Sequence, residues 1–187
     1  MKRIGKLLMI VGVLLLSYAL YQLYDMKIKE NHSLKKAKES LSSQKMITID
    51  DFNPQKNEAI GVLKIPIIDA ELPIIEGTSE DELERGVGHY SNTKFPGQND
   101  QILLSGHRDT VFRKMGDIKV GDTFIVELPY GTFTYEMTHS TIVPADDTSI
   151  IQSTAPNEEL VISTCYPFRY IGDAPDRYIL YAKPIKK

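Results

Sequence analysis

Residues 123–138 read TFIVELPYGTFTYEMT. Two alternating runs, TFIVEL (123–128) and TFTYEMT (132–138), flank Pro129-Tyr130-Gly131. Period-two runs on either side of a short turn are the local signature of a β-hairpin. In the second run Phe133, Tyr135 and Met137 share one face, and Thr134 and Glu136 the other. Outward from this hairpin further strand-like runs, rich in branched apolar residues, are AIGVLKIPII (59–68), LPII (72–75), QILLS (101–105), ELVIST (159–164) and RYILYAK (177–183). The punctuation between them is turn chemistry, such as PGQND before Gln101 and GDAPD before Arg177. One helix is clearly marked, SEDELERG (79–86): Ser79 is its N-cap, Glu82 completes a capping box and Gly86 ends it. Six to eight strands with one or two short helices predict an all-β barrel or sandwich.

The rest of the chain is of another kind. Residues 7–24, LLMIVGVLLLSYALYQLY, form an 18-residue run without a charge. As a helix it would be about 27 Å long, enough to cross a hydrocarbon core. Lys2, Arg3 and Lys6 precede it, and Tyr18, Tyr21 and Tyr24 gather at its far end as interfacial aromatics do. A cleaved signal peptide has a shorter apolar core and a small-residue cleavage site; neither feature is present, so an uncleaved anchor is expected. A short tail stays inside, which puts the N-terminus in the cytoplasm, although Lys27 to Lys45 make the other flank basic too.

These boundaries divide the chain into a tail (1–6), an anchor (7–24), a polar linker (25–58) and a globular domain (59–187). The linker, with Asn53-Pro54 as a break, reads as a marginal exposed helix or a flexible stalk. Residues 1–45 carry nine Lys/Arg against three Asp/Glu, whereas 46–187 carry thirteen against twenty-two. An acidic globular part is a poor binder of nucleic acid, where phosphate contacts dominate affinity. The basic excess belongs instead to the tract beside the membrane. A single cysteine excludes an intrachain disulfide or a cysteine metal cluster.

Three residues at strand ends carry the chemistry expected here. Cys165 follows ELVIST, His107 follows QILLS within SGHRD, and Arg177 opens the last strand. Each has an ordinary alternative: a small buried thiol, a satisfied histidine, a solvated strand-start charge. Together they supply a nucleophile, a proton carrier and a fixed cation for a developing oxyanion. Ser105-Gly106-His107 is no serine-nucleophile elbow, and His89, His107, His139 and Cys165 lack metal-ligand spacing. His89 and His139 are read as structural or surface residues. No metal and no cofactor are expected.

Leu104-Ser105-Gly106-His107-Arg108, then Val161-Ile162-Ser163-Thr164-Cys165, then Arg177 twelve residues on, resemble the sortases, the membrane-anchored cysteine transpeptidases of Gram-positive bacteria. Val161 and Ile162 depart from that family's T-L-x-T-C signature but keep a strand. The tracts CYPFRYIGDAPDRYILY and GVGHYSNTKFPGQNDQILLSGHRDTVF are most similar to class D members. The resemblance covers residues 59–185 and implies a closed eight-stranded β-barrel. It implies that Cys165 attacks the Thr carbonyl of an LPxTG-like, or LPxTA-like, C-terminal sorting signal. An amine of a peptidoglycan precursor would then take over the acyl group. His107 would shuttle protons and Arg177 steady the oxyanion or the peptide. Thr164 and Tyr166 would meet the substrate, and the segment from Val143 to Asn157 would shape its groove. The implied partners are sorting-signal proteins, a wall amine and the membrane. The alternative from another class is a membrane-tethered, non-catalytic β-barrel binding module.

Overall fold

The computed structural model describes residues 2–42, 47–169 and 172–185. Lys45 of the basic flank, and Tyr170 and Ile171 of the class D tract, lie outside them. A helix, α1 (Lys2–Ser42), precedes eight described strands: β1 (Ala59–Ile65), β2 (Ala70–Glu76), β3 (Val87–His89), β4 (Gln101–Gly106), β5 (Thr123–Leu128), β6 (Gly131–Pro144), β7 (Glu159–Tyr166) and β8 (Asp176–Pro184). A short helix, α2 (Glu80–Leu83), lies between β2 and β3.

The strands close into a barrel in the order β1-β2-β3-β4-β7-β8-β6-β5, with β5 pairing back onto β1. Of the barrel and sandwich that the strand pattern allows, the chain forms the barrel, which leaves no open edge. The expected hairpin is β5–β6, with Phe124 opposite Tyr135 and Val126 opposite Phe133. Phe124, Val126, Leu128, Tyr135 and Met137 are all buried in the interior. β6 runs fourteen residues, twice the run read from alternation, because its second half pairs with β8 past a bulge at Met137–His139. β3 has only three residues, too few for a period to emerge from sequence.

The unbroken apolar runs of β4 and β7 have a physical cause. These strands pair in parallel and are buried on both faces. Ile102, Leu104, Leu160 and Ile162 enter the barrel core. Leu103 and Val161, with Ile179 of β8, form a second cluster outside it, against Tyr90, Val143, Ile150 and Tyr181. Two cores therefore grip the strands that end at the site.

Helix α2 begins as its capping box dictates: Ser79 N–H donates to the Glu82 carboxylate at 2.7 Å, and Glu82 is buried. Helix α1 does not stop where its apolar run ends. It continues through the tract read as marginal helix or stalk and lies along β1 and β2, burying Ser33 and Ala37. Lys29 pairs with Glu84 at 2.7 Å, and Lys38 pairs with Glu71. Tertiary packing supplies what the polar sequence lacks for helix stability on its own. In α1 the residues from Arg3 to Tyr24 are exposed on all sides; it is the one described helix long and apolar enough to cross a membrane.

Candidate active site

Cys165 comes from the end of β7, whose neighbours are β4 and β8. The parallel register sets Gly106 beside Thr164, so His107, one residue further along, reaches the level of Cys165. The antiparallel register sets Arg177 directly opposite Cys165. Three adjacent strands thus bring Cys165, His107 and Arg177 to one end of the barrel, although 58 residues separate His107 from Cys165 in the chain. Cys165 is half-buried and unbridged. The His107 side chain is 31% exposed, so part of the imidazole meets solvent.

Arg177 is restrained by its own turn. Its Nη1 donates to the Ala174 carbonyl at 3.2 Å and to the Asp176 carbonyl at 3.0 Å. Those bonds employ one nitrogen of a five-donor fork. Thr164 is buried, and its hydroxyl donates to the Gly106 carbonyl at 2.7 Å. That bond ties β7 to β4 one residue before both His107 and Cys165. Thr164 is also a register partner of Tyr178, so it is held between β4 and β8. Tyr166 is half-buried, packed edge-on against Phe168 at 5.4 Å and stacked against Tyr178 at 6.2 Å.

Residues that sequence reading passed over hold this arrangement. Arg108, beside His107, is buried; its Nη1 donates to the Pro167 carbonyl and its Nη2 to the Gly172 carbonyl, each at 2.9 Å. It fastens the loop joining Cys165 to Arg177 onto the segment that carries His107. A charge next to a strand-end histidine was the available signal. Glu80, the first residue of α2, brings a carboxylate oxygen within 3.6 Å of His107 Nε2. Two glycines make close approach possible here: a Cβ on Gly106 would lie 2.6 Å from the Phe112 ring, and one on Gly116 would lie 2.9 Å from Phe168.

The segment after β6 is pinned from the start of β4. Asp100 accepts N–H bonds from Gln101 at 2.8 Å, Thr154 at 2.6 Å and Ala155 at 3.0 Å. The Gln101 N–H first, then those of Thr154 and Ala155 and the Ser153 hydroxyl, hold its carboxyl below the usual range against some desolvation. Gln101 adds a bond from Nε2 to the Ile150 carbonyl at 2.8 Å. From sequence, PGQND gave only a turn.

The other histidines have different jobs. His89 is buried, its Nδ1 2.7 Å from the Glu76 carboxylate and its Nε2 3.1 Å from the Lys94 carbonyl. It stacks on Phe95 and serves the fold. His139 stacks on Tyr181 at the surface.

Comparison with known proteins agrees with this fold. The sortase domain family matches residues 63–185. The chain is similar to Sortase D of Bacillus subtilis (strain 168), 45% identical over 197 aligned residues, spanning 99% of this chain and all of that protein. Among solved structures, a Clostridium perfringens Sortase D5 transpeptidase superposes with a TM-score of 0.75 at 28% identity, over 84% of this chain and 99% of that one. Sortase C1 of GBS Pilus Island 1 gives 0.72 at 22% identity, over 84% and 93%, a likeness of fold.

Proposed function

The chain belongs to the sortase family of cysteine transpeptidases, its likeness being to class D, and from that premise we propose that it joins exported proteins to the cell wall. Its substrates carry an LPxTG-like or LPxTA-like signal near the C-terminus, and its acceptor is an amine of a peptidoglycan precursor. Residues 7–24 anchor it, with the N-terminus in the cytoplasm and the barrel outside.

In the first half-reaction the Cys165 thiolate attacks the Thr carbonyl carbon. The tetrahedral intermediate collapses as the Thr–Gly (or Thr–Ala) amide bond breaks, and His107 gives the leaving amine its proton. A thioester remains on Cys165. In the second, the acceptor amine attacks that thioester, its proton passes to His107, and the thiolate departs. Arg177 faces the carbon under attack and offers N–H donors to the oxygen that gains charge. Thr164 and Tyr166 flank the acyl group. Asp100 and Gln101 hold the segment from Val143 to Asn157 as one wall of the peptide groove.

The observation that carries this reading is the register of three neighbouring strands, with Gly106 beside Thr164 and Cys165 opposite Arg177. The test uses detergent-solubilised full chain, a panel of sorting peptides and an added amine. Cleavage with diversion of product to the amide is expected, with none from Cys165→Ala. Cleavage by Cys165→Ala at the parent rate overturns the mechanism. Cleavage with no diversion by any amine makes the protein a hydrolase.

A further inference from the structure

The strand directions assign several features to one end of the barrel. β4 and β7 run in parallel and finish there, at Gly106 and Tyr166. β1 also finishes there and β2 starts there, so the Pro66–Ile68 turn belongs to that end. β5 starts there after the turn at Lys119–Asp122.

Helix α1 leaves the barrel at this end. Its Ser33 and Ala37 are buried and its Lys38 pairs with Glu71. Closer to its N-terminus, Leu23 and Met26 form one wall of a cleft of about 430 Å³. The opposite wall is the segment from Ile68 to Leu72 and the loop from Thr110 to Lys114 that follows His107. The next residues outward are the exposed apolar run.

Two side chains mark the same rim. Ile67, in the turn after β1, is 58% exposed, and Val120, in the turn before β5, is 67% exposed. They are the most exposed large apolar residues of the described barrel. Lys64 and Ile125 are register partners, so these turns are neighbours. Isolated exposed apolar residues are common. Two on adjoining turns stand at the end of the barrel where Leu23 and Met26 of α1 meet Ile68 and the loop after His107.

We infer that the end of the barrel carrying Cys165 faces the bilayer, with Ile67 and Val120 seated in the interfacial layer of the lipid. This rests on the anchor reading above. Lys114 and Lys119 on the rim are interleaved with Asp69, Asp117 and Asp122, all exposed or half-buried. The contact is therefore apolar in origin and holds on zwitterionic lipid. The catalytic mouth opens toward the membrane rather than away from it.

The experiment uses full chain with Cys165→Ala, reconstituted in phosphatidylcholine vesicles. A single environment-sensitive fluorophore is attached at Ile67→Cys, Val120→Cys or, as control, Thr132→Cys on the hairpin at the opposite end. Emission at 67 and 120 should shift to the blue and lose intensity to spin-labelled lipid, while emission at 132 does neither. Failure of the chain to float with vesicles removes the anchor reading itself. Floating chain with 67 and 120 as unquenched as 132 overturns the inference alone. Protection of 67 and 120 that grows with protein-to-lipid ratio, without lipid quenching, assigns the rim to a second copy and also overturns it.

Discussion

Cys165 and Arg177 stand opposite one another in the antiparallel ladder of β7 and β8. Their separation along the strands is thus set by backbone hydrogen bonds rather than by side-chain flexibility. Arg177→Lys keeps the charge but loses the planar fork. Removing one oxyanion donor typically costs about 10²–10³-fold in turnover. Arg177→Lys should fall in that range for acylation in single-turnover assays. A rate equal to the parent's removes the directed role of the guanidinium.

Gly106 sits where β4 meets Thr164, and no room exists for a side chain. Gly106→Ala would set a methyl group 2.6 Å from the Phe112 ring and 2.8 Å from Val111. Overpacking of this kind costs about 1–3 kcal/mol. Urea unfolding should report a loss of that size. The acylation rate should fall further than stability alone explains, because His107 is the next residue.

Arg108 tests the clamp. Arg108→Met keeps most of the buried stem and withdraws the donors from the Pro167 and Gly172 carbonyls. A charged hydrogen bond is worth about 1.5–3 kcal/mol, and orphaned carbonyls add to the loss. A destabilisation of about 2–4 kcal/mol is expected, with kcat reduced in the fraction that remains folded. A fully active, equally stable variant means that the Cys165–Arg177 loop holds its shape without it.

Glu80 should matter less. Its carboxylate is 76% exposed, and exposed ion pairs contribute about 0.2–1 kcal/mol. Glu80→Gln should therefore reduce kcat/KM by no more than about fivefold. A hundredfold loss would make Glu80 part of the proton-transfer machinery.

Asp100 gives a pH dependence whose sign is fixed. Its carboxyl lies below the ordinary value of 3.8 because N–H donors, that of Gln101 first, favour the ionised form. The group stabilises the segment from Ser153 to Ala155 fully above 3.8, and that contribution is lost as pH falls through its lower folded value. The amide resonances of Thr154 and Ala155 should move toward unbonded positions below pH 3.8. Asp100→Asn should move them at neutral pH.

How much could be read from the residues varies with the range of the cause. The β5–β6 hairpin, the capping box of α2 and the apolar helix are local events. Alternation, a Ser-x-x-Glu spacing and a charge-free run each act within a turn or two, so sequence determined them. It also offered His107, Cys165 and Arg177, because chemistry at strand ends follows turn signals on either side. Pairing partners are different: nothing local says that β4 lies beside β7 rather than β5, and burial of both faces of Ile102–Leu104 and Leu160–Ile162 decided it. The length of β6 depended on β8, and the helicity of residues 25–42 on the wall of β1 and β2. Arg108 and Glu80 became partners of the site only when 59 residues in one direction and 27 in the other were folded onto the same end of the barrel. The tertiary structure decided these, because closing such loops is favourable only when the whole barrel closes.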